Sequence, residues 1–159
     1  TGLESRQSIG YSALTHINIV RLHPDAVLPT YAHPGDAGAD LYSIESLTIA
    51  PGERALVKTG ISLQIPVGFV GLVHPRSGLA IKKGLTVVNA PGTIDAGYRG
   101  EVMVGLINLD KSAAVEISVG MRVAQLVIQA VERATFVEVD QLDESERQDA
   151  GFGSTGVSS

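Results

Sequence analysis

Apolar residues along this chain come in short runs that alternate with polar ones and end at Gly, Pro or Asn. Ile17-Asn18-Ile19-Val20-Arg21 reads as a strand, and Leu47-Thr48-Ile49 precedes a Pro51-Gly52 turn. From Ala55 to Ile65, Leu56, Val57, Ile61, Leu63 and Ile65 interleave with polar residues until Pro66-Val67-Gly68 breaks the run. Further strands are expected at 69–74, 85–88, 102–108, 115–117, 123–128 and 135–139. One short helix is expected from Ser77 to Lys83, with Ser77 as its N-cap. Roughly ten short strands at regular spacing predict an all-β domain, a closed barrel or jelly roll. The polar stretch 1–14 reads as a disordered leader or cloning remnant. The domain is expected over 15–140, and the Gly- and Ser-rich end, 141–159, as a flexible arm.

Composition narrows this picture. The chain has 159 residues, one domain by length, and its apolar content of 44% is mostly aliphatic because aromatics make up only 4%. The net charge of −5 argues against nucleic-acid binding by bulk charge, so a polyanionic substrate needs locally placed cations. Absence of Cys removes disulfides, zinc thiolates and thiol catalysis, and is compatible with a cytoplasmic location. No apolar run approaches the roughly 20 residues of a membrane span.

Four segments carry candidate chemistry. Asn89 to Glu101 reads as a tight hairpin, punctuated by Pro91-Gly92, turned at Ala96-Gly97 and straightened at Gly100. One acid, Asp95, and one ring, Tyr98, project from it; alone, this is as readily a surface hairpin whose Asp and Gly serve turn chemistry. Pro75-Arg76-Ser77-Gly78 opens the helix and offers backbone amides, a hydroxyl and a guanidinium to an anion, or is an ordinary capped turn. Asp36 and Asp40 flank Gly38 and are either hard oxygen ligands for Mg2+ or solvated turn acids. In Arg122-Val123-Ala124-Gln125-Leu126, parity puts Arg122 and Gln125 on opposite faces. Gln125 then needs a ligand or solvent for its amide. The His residues show no metal spacing, and no nucleophile elbow signals a serine hydrolase.

In order, Ala37 to Leu41, Pro75 to Gly78, Asn89 to Glu101, Arg122 to Leu126 and Arg147 to Gly156 closely resemble the five motifs of the homotrimeric dUTPases (deoxyuridine 5′-triphosphate nucleotidohydrolases). That resemblance implies a jelly-roll-like β-barrel subunit, a homotrimer with shared active sites, and hydrolysis of dUTP to dUMP and pyrophosphate. It also implies the consequences of that reaction: little uracil in DNA and a supply of dUMP for dTMP synthesis. Asp95 resembles the general base for water attacking the α-phosphorus. Tyr98 resembles the ring that packs on deoxyribose. Asn89 and the backbone at Thr93, Ile94 and Met103 resemble the uracil readers. Arg76, Ser77, Gly78 and Gln125 resemble phosphate ligands, and Asp40 resembles the acid that holds Mg2+ through water. In the arm, Phe152 resembles a ring over uracil, with Arg147, Gly153, Ser154 and Thr155 around the outer phosphate. Gln148 and Ala150 stand where the family commonly has glycine. A related dCTP deaminase and a non-catalytic nucleotide binder are the alternatives; Gly78 after Arg76-Ser77 and the intact Asp95 argue against each.

Overall fold

A computed structural model describes residues 14–151 and 155. Ten strands and one helix follow in the order β1 (Asn18–Arg21), β2 (Ala39–Tyr42), β3 (Leu47–Ile49), β4 (Arg54–Gln64), β5 (Phe69–His74), α1 (Ser77–Lys83), β6 (Leu85–Val87), β7 (Gly92–Ile94), β8 (Glu101–Asn108), β9 (Val115–Ile117) and β10 (Arg122–Ala130). All pairings are antiparallel. One sheet runs β1-β4-β8-β6, a second β2-β10-β5-β7, and β3-β9 forms a small third. The expected all-β, jelly-roll-like class is what the chain adopts.

The alternation explains the layers. In β8, Val102, Val104, Leu106 and Asn108 point inward while the residues between them face outward. They meet Val57, Ile61, Leu63, Ile65, Leu85, Val123 and Leu126 in one aliphatic core. Asn108 is the polar exception. Its amide donates to the carbonyls of Ile49 and Ala113, each at 2.9 Å, and its Oδ1 accepts the Asp110 N–H, also at 2.9 Å. A fully satisfied amide of this kind pins β8 to β3 without the penalty of an unpaired buried group.

Four expectations need correction. Segment 135–139 forms no strand; Phe136 is 94% and Val137 74% exposed, and no strand among the described residues lies alongside to take their backbone bonds. Asp40 is not a solvated turn acid but a buried member of strand β2, which carries no strand pattern in the sequence because three of its four residues are buried and leave no alternation. Ser77 is not an N-cap but the first helical residue. Arg76 holds the cap position with φ −88 and ψ 124 and makes no side-chain cap bond. Nor is Asn89–Glu101 a β-hairpin: β7 pairs only with β5, whereas β8 pairs with β4 and β6. The segment is a corner that carries the chain from one sheet to the other. Its tight point is a turn in which the Tyr98 N–H donates to the Asp95 carbonyl at 3.0 Å.

Candidate active site

The corner is held from its base. Ser62 Oγ donates to the Arg99 carbonyl at 2.6 Å, and the Gly60 N–H donates to Glu101 Oε2 at 2.9 Å. Arg99 closes the loop on itself, donating to the carbonyls of Ala96 (2.6 Å) and Tyr98 (3.0 Å). Tyr98 folds back, its hydroxyl donating to the Glu101 carbonyl at 2.9 Å. The ring lies so close over Gly100 that a Cβ there would meet Tyr98 Cζ at 2.7 Å. Gly100 therefore makes room for the ring. These bonds hold the ring in place and leave Asp95 exposed beside it.

Behind the corner is a cavity of about 370 Å³. Asn89, Thr93, Ile94, Asp95, Tyr98 and Met103 all line it, together with Leu56, Val73, Glu101 and Gly105. Its floor is aliphatic, with Ile94 8% exposed. Strand β7 ends its sheet, so its outer edge offers backbone N–H and C=O groups that no strand among the described residues takes.

A second depression of about 630 Å³ gathers Asp40, Arg76, Ser77, Gly78 and Gln125. It shares no lining residue with the first. Asp40, 8% exposed, sits between two guanidiniums, 3.3 Å from Arg76 Nε and 3.7 Å from Arg122 Nε. Arg76 also donates to the Arg122 carbonyl at 3.3 Å. Gln125 donates to the Pro75 carbonyl at 3.2 Å and lies across from Asp40 and His74 in register. Arg122 and Gln125 share this basin despite their parity. The pairing of β10 with β2 shifts between Arg122 and Ala124, and the bulge turns Arg122 to the Gln125 side. Val123 and Ala124 are consequently both buried, at 1% and 0% exposed. The second acid of the sequence pair, Asp36, is occupied locally by the His33 N–H at 2.9 Å.

As a metal site, the donors suit a water-clad ion and not a protein cage. Among the described residues no group of three His, Asp or Glu side chains converges. Asp40 is committed to arginines on both oxygens, which leaves its remaining lone pairs for water. Mg2+ typically keeps several waters and takes phosphate oxygens, so one such carboxylate is compatible with it.

The described residues of the arm line neither depression. Arg147 donates to the Ala150 carbonyl at 2.7 Å, and Thr155 is exposed. Phe152, Gly153 and Ser154, and residues 1–13, lie outside the described residues. Gln148 has φ 50, the left-handed region that costs most residues about 1 kcal/mol or more and glycine little. Sequence reasoning passed over Lys82, Lys83, Leu56 and Glu101 as lining groups, since nothing in their spacing tells a lining residue from a surface one.

A family model for dUTPase matches residues 25–156. A deoxyuridine 5′-triphosphate nucleotidohydrolase of Thermobifida fusca is 61% identical over 140 residues, covering 88% of this chain and 78% of that protein. One of Mycobacterium tuberculosis is 56% identical over 147 residues, covering 89% of this chain and 96% of that protein. A solved Staphylococcus bacteriophage 80alpha dUTPase with dUpNHpp superposes at a TM-score of 0.83 with 31% identity, covering 89% of this chain and 99% of that one. A dUTPase from phage phi11 of S. aureus, described with a coordinated structural Mg(II) ion, superposes at 0.74 with 28% identity, over 79% of this chain and 97% of that one.

Proposed function

The chain belongs to the dUTPase family, and from that premise we propose that it hydrolyses dUTP to dUMP and pyrophosphate with Asp95 as general base. The observation that carries this reading is the convergence of Asn89, Thr93, Ile94, Asp95, Tyr98 and Met103 on one cavity beside the open edge of β7.

Uracil enters that cavity with its polar edge toward β7. Backbone groups at Thr93 and Ile94, with the Asn89 amide, match its donor and acceptor order and leave cytosine with unpaired groups, a mismatch worth powers of ten in discrimination. The pinned ring of Tyr98 packs on the deoxyribose and crowds a 2′-hydroxyl. Arg76, Ser77, Gly78 and Gln125 bind phosphate oxygens. Asp95 orients a water and accepts its proton as the water oxygen bonds to the α-phosphorus. The bond to the bridging oxygen breaks, and pyrophosphate leaves with that electron pair. No covalent enzyme intermediate forms, so the protein's contribution is positioning and charge neutralisation. Asp40 would hold Mg2+ through water, and the ion would supply neutralisation of triphosphate charge. Arg147, Phe152, Gly153, Ser154 and Thr155 close over the nucleotide from the arm.

The two depressions of one chain are separate, which supports a homotrimer whose sites draw the uracil-reading corner and the phosphate basin from different copies. Low dUTP, exclusion of uracil from DNA and a dUMP supply for dTMP synthesis are the proposed consequences, in a cytoplasmic setting. No helix among the described residues is long and apolar enough to cross a membrane.

The test is to incubate the protein with dUTP or dCTP and Mg2+ while following pyrophosphate and ammonia. Pyrophosphate from dUTP alone is expected; ammonia from dCTP overturns the reading in favour of a deaminase. Asp95→Asn should lower kcat by at least about a hundredfold and leave affinity for a non-hydrolysable dUTP analogue within a few-fold. Surviving turnover would remove Asp95 from the base role.

A further inference from the structure

The phosphate basin contains more charge than its binding residues explain. Four cations line it, Arg76, Arg122, Lys82 and Lys83, against two carboxylates, Asp36 and Asp40. The two arginines are both within 4 Å of Asp40 and are largely spent on it. Taken with Asp36, the arginine and aspartate charges cancel. The basin's formal +2 is therefore what the two lysines add, in a protein whose net charge is −5. Neither lysine makes an ion pair among the described residues, and both side chains are exposed. They occupy the last turn of α1, where a cation also offsets the helix dipole, but that role needs no cavity beside it.

We propose that Lys82 and Lys83 form an electrostatic collar that draws in nucleoside triphosphate and lets the monophosphate product leave. The inference rests on the dUTP reading and deepens it. Before Mg2+ is bound, a triphosphate carries about four negative charges near neutral pH and a monophosphate fewer than two, so a basin held at +2 attracts the free substrate much more than dUMP; the highly charged pyrophosphate is not separated from the substrate in this way. Ammonium groups suit this work: they are hydrated point charges on flexible stems, able to follow a moving phosphate without fixing its geometry. The arginines, each beside Asp40, keep the geometric task.

The experiment compares the parent protein with Lys82→Gln, Lys83→Gln and the double variant, measuring kcat, KM for dUTP and inhibition by dUMP from low to high ionic strength. The double variant is expected to lose about tenfold in kcat/KM at low salt, nearly all of it in KM, and to converge with the parent as salt screens the field. Its dUMP inhibition constant should move much less. Lys82→Arg with Lys83→Arg should restore both the rate and the salt slope, which a packing role would not require. An unchanged kcat/KM and salt slope overturns the collar, as does a loss confined to kcat. A parent protein that releases no pyrophosphate from dUTP instead overturns the functional reading itself.

Discussion

Asp95 and Asp110 show how differently one residue type is used here. Asp95 is exposed and free to meet a ligand. Asp110 is tied into its own loop, where Oδ1 accepts the N–H groups of Ala113 at 2.7 Å and Ser112 at 2.9 Å. Those bonds, that from Ala113 first, hold its carboxyl below the ordinary carboxylate range. A lowered folded-state pKa stabilises the fold above the unfolded pKa of about 3.9 and loses that contribution as pH falls through the folded value. Asp110→Asn should therefore lower the melting temperature at pH 7 and converge with the parent only once acid has carried the pH from the unfolded value down through the lowered folded one. A gap that persists in acid would assign the effect to something other than the charge. Gly38 is a second informative residue. A Cβ there would collide with Gln125 Oε1 and reach its Cβ at 3.0 Å, so Gly38→Ala displaces the amide from the Pro75 carbonyl. Because the far end of a flexible side chain can yield, the fold should survive with a melting temperature within a few degrees. kcat/KM should fall roughly ten- to a hundredfold, and parent-like kinetics would remove Gln125 from the phosphate set.

At the scale of elements, the two segments that depart most from expectation are both explained by pairing. The corner from Asn89 to Glu101 has the glycines and proline of a hairpin, yet β7 had a better partner in β5, where Thr93 pairs with Leu72 and Ile94 with Gly71. That choice frees the other edge of β7 for a ligand. Segment 135–139 has strand chemistry without a partner, and Val139 is 56% exposed beside Phe136 and Val137. Such a stretch is stabilised when another chain supplies the missing backbone bonds. Phe136→Asp is therefore expected to shift the protein toward smaller species in sedimentation velocity. An unchanged distribution would show that this segment takes no part in assembly. The helix is the opposite case, closed by local rules: Gly84 at φ 66 donates its N–H to the carbonyls of Leu79 and Ala80, and a Cβ there would meet the Asp110 nitrogen at 2.7 Å.

For the whole molecule, the corner cavity and the Asp40 basin share no lining residue, which makes the proposed sharing of sites between copies testable by mixing variants. Asp95→Asn damages only the corner, and Arg76→Ala only the basin. Each variant alone should be nearly inactive. Co-expressed in equal amounts, they should recover about a quarter of parental turnover, because a site drawing its corner and basin from two copies has that chance of receiving both intact. Activity no greater than that of either variant alone would place the complete site within one chain.

The local alphabet of this protein is written in the sequence. Alternating Val, Ile and Leu mark most of the strands, Gly and Pro mark where they stop, and the motifs around Asp40, Arg76, Asp95 and Gln125 carry the candidate chemistry. The reason is that side-chain parity and turn preferences act over a few residues and survive in any fold. Which strand pairs with which is decided by contacts between residues far apart in the chain, such as Gln125 with both Asp40 and His74. The tertiary structure alone therefore decided that β7 leaves β8 for β5, that a bulge brings Arg122 round beside Gln125, and that Asp40 is shared by two arginines. It also placed two lysines from the end of a helix along the basin that holds Asp40, Arg76 and Gln125.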